Sequence, residues 1–146
     1  MKYDDASWHF GGNFPKDSPP EYGGTHIAIL LKWCFVKGWA GELHLEENIE
    51  DVNAVINGTK SATDFFFQWC DGKFTDEDLT DEGNAFIGPY YDKTYLSDYA
   101  DLFADLMFVA PESKHEQEKL SELLEKRYKK FTNSEPAQNK PWWKLW

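Results

Sequence analysis

Cysteine, basic residues, strand patterns and long apolar runs are all scarce in this 146-residue chain. Its two cysteines, Cys34 and Cys70, lie in apolar text (KWCFV and FQWCDG) with no CxxC spacing between them. That excludes a disulfide framework, and both read as reduced core residues. No stretch approaches the ~18 apolar residues that a membrane span needs. Fifteen bases stand against 26 acids, a formal net charge of −11. A nucleic-acid binder needs a basic face to displace counterions from phosphate, so that class is excluded, and anionic lipid is a poor partner for the same reason. The opening MKYDDASWHF lacks a basic region followed by an apolar one, so the expected location is the cytoplasm. Period-two alternation is nearly absent, and there is no internal repeat. No HExxH, HxH, GxSxG or phosphate-cradling glycine loop occurs, and DEDLTDEGNAF lacks the ligand alternation of an EF-hand.

What is present is aromatic and apolar: 41% of residues are hydrophobic and 17% aromatic, enough for a folded core. Residues 1–24 mix Pro and Gly with Tyr3, Trp8, Phe10, Phe14 and Tyr22, which predicts an extended wrap that pins its rings onto helices behind it. The run HIAILLKWCFVK, with Thr25 as N-cap and Gly38 as its stop, is apolar on nearly all sides and predicts a buried central helix. Helical spacing predicts a second helix over 46–56, ended by Asn57-Gly58, and a short one opened by Ser61 and ended by Gly72. Thr75 reads as the cap of a helix over 75–88, GPYYDK as a break, and 94–108 as an amphipathic helix. Ser113-Lys-His-Glu116 is a capping box ahead of the final helix. The expected fold is all-α: a single globular domain over 1–132 of five or six short helices with an extended wrap over 1–24. A linker and tail follow over 133–146, where Trp142, Trp143 and Trp146 would dock on the domain, close a homodimer or anchor another protein.

The charge is unevenly placed. Residues 1–74 carry a net −5, residues 75–112 a net −9 with Lys93 the one base, and residues 113–146 a net +3. In the middle segment Asp98, Asp101 and Asp105 fall at i, i+3 and i+7, where like charges disfavour a helix by a few tenths of a kcal/mol per pair. With Asp76, Glu77, Asp78, Asp81 and Glu82 they predict a continuous anionic surface, which reads either as a solvated face that keeps an aromatic-rich chain soluble or as a docking surface for a cationic partner. Tyr90 and Tyr91 are candidate aromatic anchors within it. A different cluster is conceivable at the other end of the chain. Asp4, Asp5, His9 and His26 could meet through the wrap as a hydrolytic or metal-binding group, or else as backbone caps and hydrogen-bonded core residues.

The opening YDDASWHFGGNFPKDSPPEYGGTHIAILLKW resembles a family of small bacterial cytoplasmic proteins found near polymorphic or contact-dependent toxin genes. YDDASWHF, FPKD and GGTHI carry the resemblance, over about residues 3 to 45. It implies an immunity-type role, in which the protein binds a cognate toxin domain and blocks it. The combined expectation is a non-enzymatic protein, without cofactor, whose acidic surface neutralises a basic toxin domain such as a nuclease. The alternative is a small hydrolase or a metal- or ligand-binding protein built on the Asp4, Asp5, His9 and His26 cluster.

Overall fold

With no polar stripe to keep in water, THIAILLKWCFV folds as the central helix α1 (Thr25–Val36), in which ten residues are buried. A computed structural model of the chain describes residues 1–9, 19–103 and 112–133. Gly24 occupies the N-cap position and Thr25 is the first helical residue, so the helix starts one position earlier than the capping expectation. Gly38, at φ +84°, stops the chain as expected. Around α1 lie α3 (Ile49–Asn57), α4 (Ala62–Trp69) and α7 (Lys114–Asn133), with a 3₁₀ turn over Pro20–Gly24 against its start. Among the described residues the fold is all-α apart from one small two-stranded sheet.

That sheet was not anticipated. β1 (Lys2–Asp5) pairs antiparallel with β2 (Lys73–Thr75), with Asp4 opposite Phe74, and Ala6 N–H continues the contact to Gly72 O at 2.8 Å. KYDD has no strand propensity to advertise. Pairing with β2 and the packing of Tyr3 against Phe74 and Tyr91 override it. Trp8 departs from the expected burial at 59% exposed, with the Lys2 ammonium 5.1 Å above its ring.

The single helix expected over 46–56 is two. α2 (Glu42–Glu47) and α3 are separated at Asn48, whose φ of −135° leaves the helical region. α2 begins against a 3₁₀ turn over Asp76–Asp78, and Gly41 is the point of closest approach. A Cβ there would meet Glu77 O at 2.3 Å, and Gly41 N–H already donates to Asp78 O at 2.9 Å. Thr75 caps that 3₁₀ turn, with Asp78 completing the box, while Thr80 caps the next helix, α5 (Asp81–Tyr90).

GPYYDK does not break the chain. α5 runs through Pro89, a π-helical turn follows over Tyr91–Tyr95, and α6 (Leu96–Phe103) continues from it. Gly and Pro inside a helix cost roughly 4 kcal/mol together. Each buried tyrosine removes about 150–250 Å² from water, worth about 4–6 kcal/mol at ~25 cal/mol/Å². Tyr90, Tyr91, Tyr95 and Tyr99 are all buried, so burial wins. The rest of the expected 94–108 helix, residues 104–108, lies outside the described residues, as do Phe10 and Phe14.

α7 closes the core with Leu120 and Leu124, and with Tyr128 against Trp39 and Phe86 at 5.1 and 5.3 Å between ring centres. Its start is the expected cap, Ser113 Oγ accepting from Glu116 N–H at 3.2 Å. Cys34 and Cys70 are both free and buried, as read.

Two predictions follow from these packing constraints. Gly41→Ala is expected to lower stability by about 1–3 kcal/mol, because the added methyl meets backbone rather than a movable side chain. An unchanged urea midpoint would contradict the close approach. Glu116 is 7% exposed, and burial raises its pKa. The native state therefore holds this proton more tightly than the unfolded chain. The associated stability is present below the unfolded value, about 4.3, and is lost as the pH rises through the elevated native one. Glu116→Gln is thus expected to raise the urea midpoint at pH 7 and to converge with the wild type near pH 4.

Candidate functional site

Of the five buried carboxylates among the described residues, Asp4, Asp78 and Asp98, at 2%, 5% and 9% exposure, bear on the expected sites. Each has drawn a ring or a guanidinium to itself, and together they decide which expected site residues stay on the surface.

Asp98 is bound by Arg127 of α7 in a two-pronged contact, Nε to Oδ2 at 2.9 Å and Nη2 to Oδ1 at 2.8 Å. Tyr90 Oη donates to the same Oδ2 at 2.7 Å. This corrects two expectations. Asp98 is not part of an anionic surface stripe, and Tyr90 is an internal donor rather than an exposed anchor. Of the expected stripe, Asp101 is exposed and Asp105 lies outside the described residues. A helical wheel places Asp98 opposite the apolar set, but Arg127, 29 residues later, draws it inward.

Asp78 is likewise removed from the surface. Its Oδ1 lies 2.8 Å from His44 Nε2 and its Oδ2 accepts Thr75 N–H at 2.8 Å. Cys70 Sγ is 3.7 Å from the same His44 nitrogen. Cys70, His44 and Asp78 therefore meet without forming a relay. A thiol–imidazole–carboxylate relay needs the acid on one ring nitrogen and the thiol on the other, whereas here both address Nε2. His44 Nδ1 is buried without a hydrogen-bond partner. Burial and the adjacent Asp78 carboxylate push the Cys70 thiol far above its ordinary pKa, which disfavours the thiolate. Sequence reading missed this group, because its members are 26 and 34 residues from His44 with no spacing pattern to mark them.

Asp4 lies at the junction of β1, α1 and the π turn. His9, ending the 3₁₀ turn over Ala6–His9, places Nε2 2.8 Å from Asp4 Oδ1. His26, in the first turn of α1, places Nε2 3.2 Å from Oδ2. Tyr91 Oη donates to Oδ2, and Asp5 N–H donates to Oδ1 at 2.7 Å. Burial alone would raise the Asp4 carboxyl, but the hydrogen bonds from His26, His9 and Tyr91 outweigh it and hold the group well below the usual carboxylate range. Burial lowers the basicity of His26 against the pull of Asp4. Of the four residues named from sequence for this cluster, the structure brings Asp4, His9 and His26 together. Asp5 turns away to Lys2 Nζ at 3.0 Å and Ser7 Oγ at 2.7 Å. Tyr91, expected as a surface anchor, is buried in this group instead.

Exposed acid remains elsewhere. Glu42, Asp76, Glu77 and Asp81 share one depression with Leu43, Leu79, Thr80 and Asn84. Asp76 Oδ1 holds the Met1 ammonium at 2.8 Å. Among the described residues, Glu42, Glu77, Asp81, Glu82 and Asp101 make no ion pair. Glu46 is raised in pKa by the neighbouring Glu42 carboxyl, a sign of uncompensated negative charge on α2. The expected tryptophan closure by Trp142, Trp143 and Trp146 falls outside the described residues.

An all-α fold with a buried two-imidazole, one-carboxylate cluster and a separate acidic depression is thus the frame for comparison with known proteins. A family model matches residues 2–111, three quarters of the chain, and the chain belongs to that family, described as Domain of unknown function (DUF7832). The match spans the acidic segment as well as the opening stretch, and it includes Asp4, His9, His26 and Tyr91 but not Arg127. No curated protein and no solved structure matches the chain. Among the described residues no helix is long and apolar enough to cross a membrane.

If Asp98 is an internal ion-pair partner, Asp98→Ala should cost roughly 2–4 kcal/mol by leaving Arg127 and Tyr90 unmatched, whereas Asp101→Ala should change stability by no more than about 0.5 kcal/mol. Equal urea midpoints for the two variants would return Asp98 to the surface.

Proposed function

We propose that this protein is a non-enzymatic binding module of the immunity type, which engages a basic partner such as a toxin domain through the acidic surface of α2, the Asp76–Asp78 turn and the start of α5. The observation that carries the reading is the depression shared by Glu42, Asp76, Glu77 and Asp81, beside a Leu43 that is 43% exposed. Two sequence segments feed this surface, residues 38–59 and 74–92, and neither contains a lysine or an arginine. Packing α2 against the 3₁₀ turn concentrates their carboxylates. Like charges gathered this way oppose folding, so they are better understood as complementary to something outside the chain. A leucine among them offers an apolar contact at the centre of a charged rim. The partner this chemistry fits presents lysine or arginine around a shallow apolar site, as a nuclease cleft does. Asp98, Tyr90 and Tyr91, being internal, have no part in it.

The reading is tested by calorimetry with a basic domain encoded beside this chain, at two salt concentrations. Affinity is expected to fall as salt rises, and Glu42→Lys with Asp81→Lys should weaken binding by more than tenfold, while Asp101→Lys has little effect. Unchanged affinity in the double variant, or no binding by the neighbour, would contradict the reading.

A further inference from the structure

We propose that Asp4, His9 and His26 form a binding site for one divalent first-row transition ion such as Zn²⁺, independent of the acidic surface. Three potential ligand atoms, one from each residue, lie within 4.8 Å of one another. A cation held about 2.0–2.2 Å from nitrogen and oxygen donors sets neighbouring donors roughly 2.8–3.6 Å apart, from octahedral to tetrahedral geometry. His9 Nε2 is 2.8 Å from Asp4 Oδ1 and His26 Nε2 is 3.2 Å from Oδ2, so each imidazole faces its own oxygen of the one carboxylate. The two imidazoles stand at 90° with ring centres 4.5 Å apart, so both Nε2 atoms address one carboxylate from different directions rather than stacking past it.

The donor set selects the ion. Two imidazoles and one carboxylate suit zinc, iron, cobalt or nickel, whereas magnesium and calcium favour all-oxygen sites. Three protein ligands leave at least one coordination position for water or a small anion. The surroundings are those of a site held in place. Asp4 and His26 side chains are 3% and 0% exposed, and His9, at 13%, marks the side open to solvent. Tyr91 Oη and Asp5 N–H fix the carboxylate from outside the ligand set, as outer hydrogen bonds do at metal centres. On binding, each Nε2 exchanges the hydrogen aimed at Asp4 for the cation. That proton passes to Nδ1 or to solvent, and the carboxylate exchanges two N–H contacts for a bond to the ion.

Equilibrium dialysis of the full chain against Zn²⁺ and Co²⁺, with the visible spectrum of the cobalt form, tests this directly. One equivalent is expected, with a cobalt spectrum that has no thiolate charge-transfer band. His26 is wholly buried, so His26→Ala can fail through unfolding alone. The decisive variant is His9→Ala, at the open side, checked as folded by circular dichroism. It is expected to bind Zn²⁺ at least about 100-fold more weakly, while Cys70→Ser binds as the wild type does. Binding that survives His9→Ala, binding lost in Cys70→Ser, or no stoichiometric uptake of either ion by the wild type would overturn the proposal. The first two results would move the ion to the His44, Cys70 and Asp78 group. The third would leave the Asp4 cluster as a structural hydrogen-bond network.

Discussion

A carboxylate shut away from water must be met by donors, and in this protein that requirement organises the packing. Asp4 is the clearest case. Its two oxygens gather His9, His26, Tyr91 and the Asp5 amide. Four parts of the chain with no shared periodicity are thereby fixed to one another: the first strand, the turn after it, the head of the central helix and the π turn. Leaving such a group unpaired would cost several kcal/mol, a large fraction of the net stability of a domain this size. Asp78 and Asp98 repeat the solution with His44 and with Arg127. The Asp4–His26, Asp4–Tyr91, Asp78–His44 and Asp98–Arg127 contacts each join residues more than 20 apart, so the buried acids act as long-range ties within an otherwise helical, locally determined fold.

The same requirement divides the protein's negative charge into two populations. Asp4, Asp78 and Asp98 are met by donors inside and leave the surface, while Glu116 is buried with its Oε2 unpartnered. The acids left on α2, the Asp76–Asp78 turn and the start of α5 have few bases near them. A formal charge of −11 is therefore a poor guide to the surface until the internal pairs are removed from it. What is left is more local than the whole middle segment suggested, and it recruits Glu42 from a helix outside that segment.

How much of this could be read from the chain depended on the range of the interaction. The central helix, its Gly38 stop, the Ser61 and Ser113 caps and the final helix were legible, because caps and apolar periodicity act within a turn or two. The Asn48 interruption was not, since it follows from packing α2 against the Asp76–Asp78 turn, where Gly41 permits contact. Gly88 and Pro89 read as a break by local rules, and the burial of four tyrosines overrode them. The meeting of Asp4, His9 and His26 was visible because all three lie within 23 residues of one another. Arg127 was not visible as the partner of Asp98, because an ion pair across 29 residues leaves no pattern in composition or spacing.

The geometry around Asp4 is most directly examined by X-ray absorption at the zinc edge, on the full chain loaded with one equivalent of Zn²⁺. A first shell of nitrogen and oxygen alone, with the outer scattering of two imidazole rings, is the expected result. A sulfur scatterer in that shell, or zinc that washes out before measurement, would contradict it.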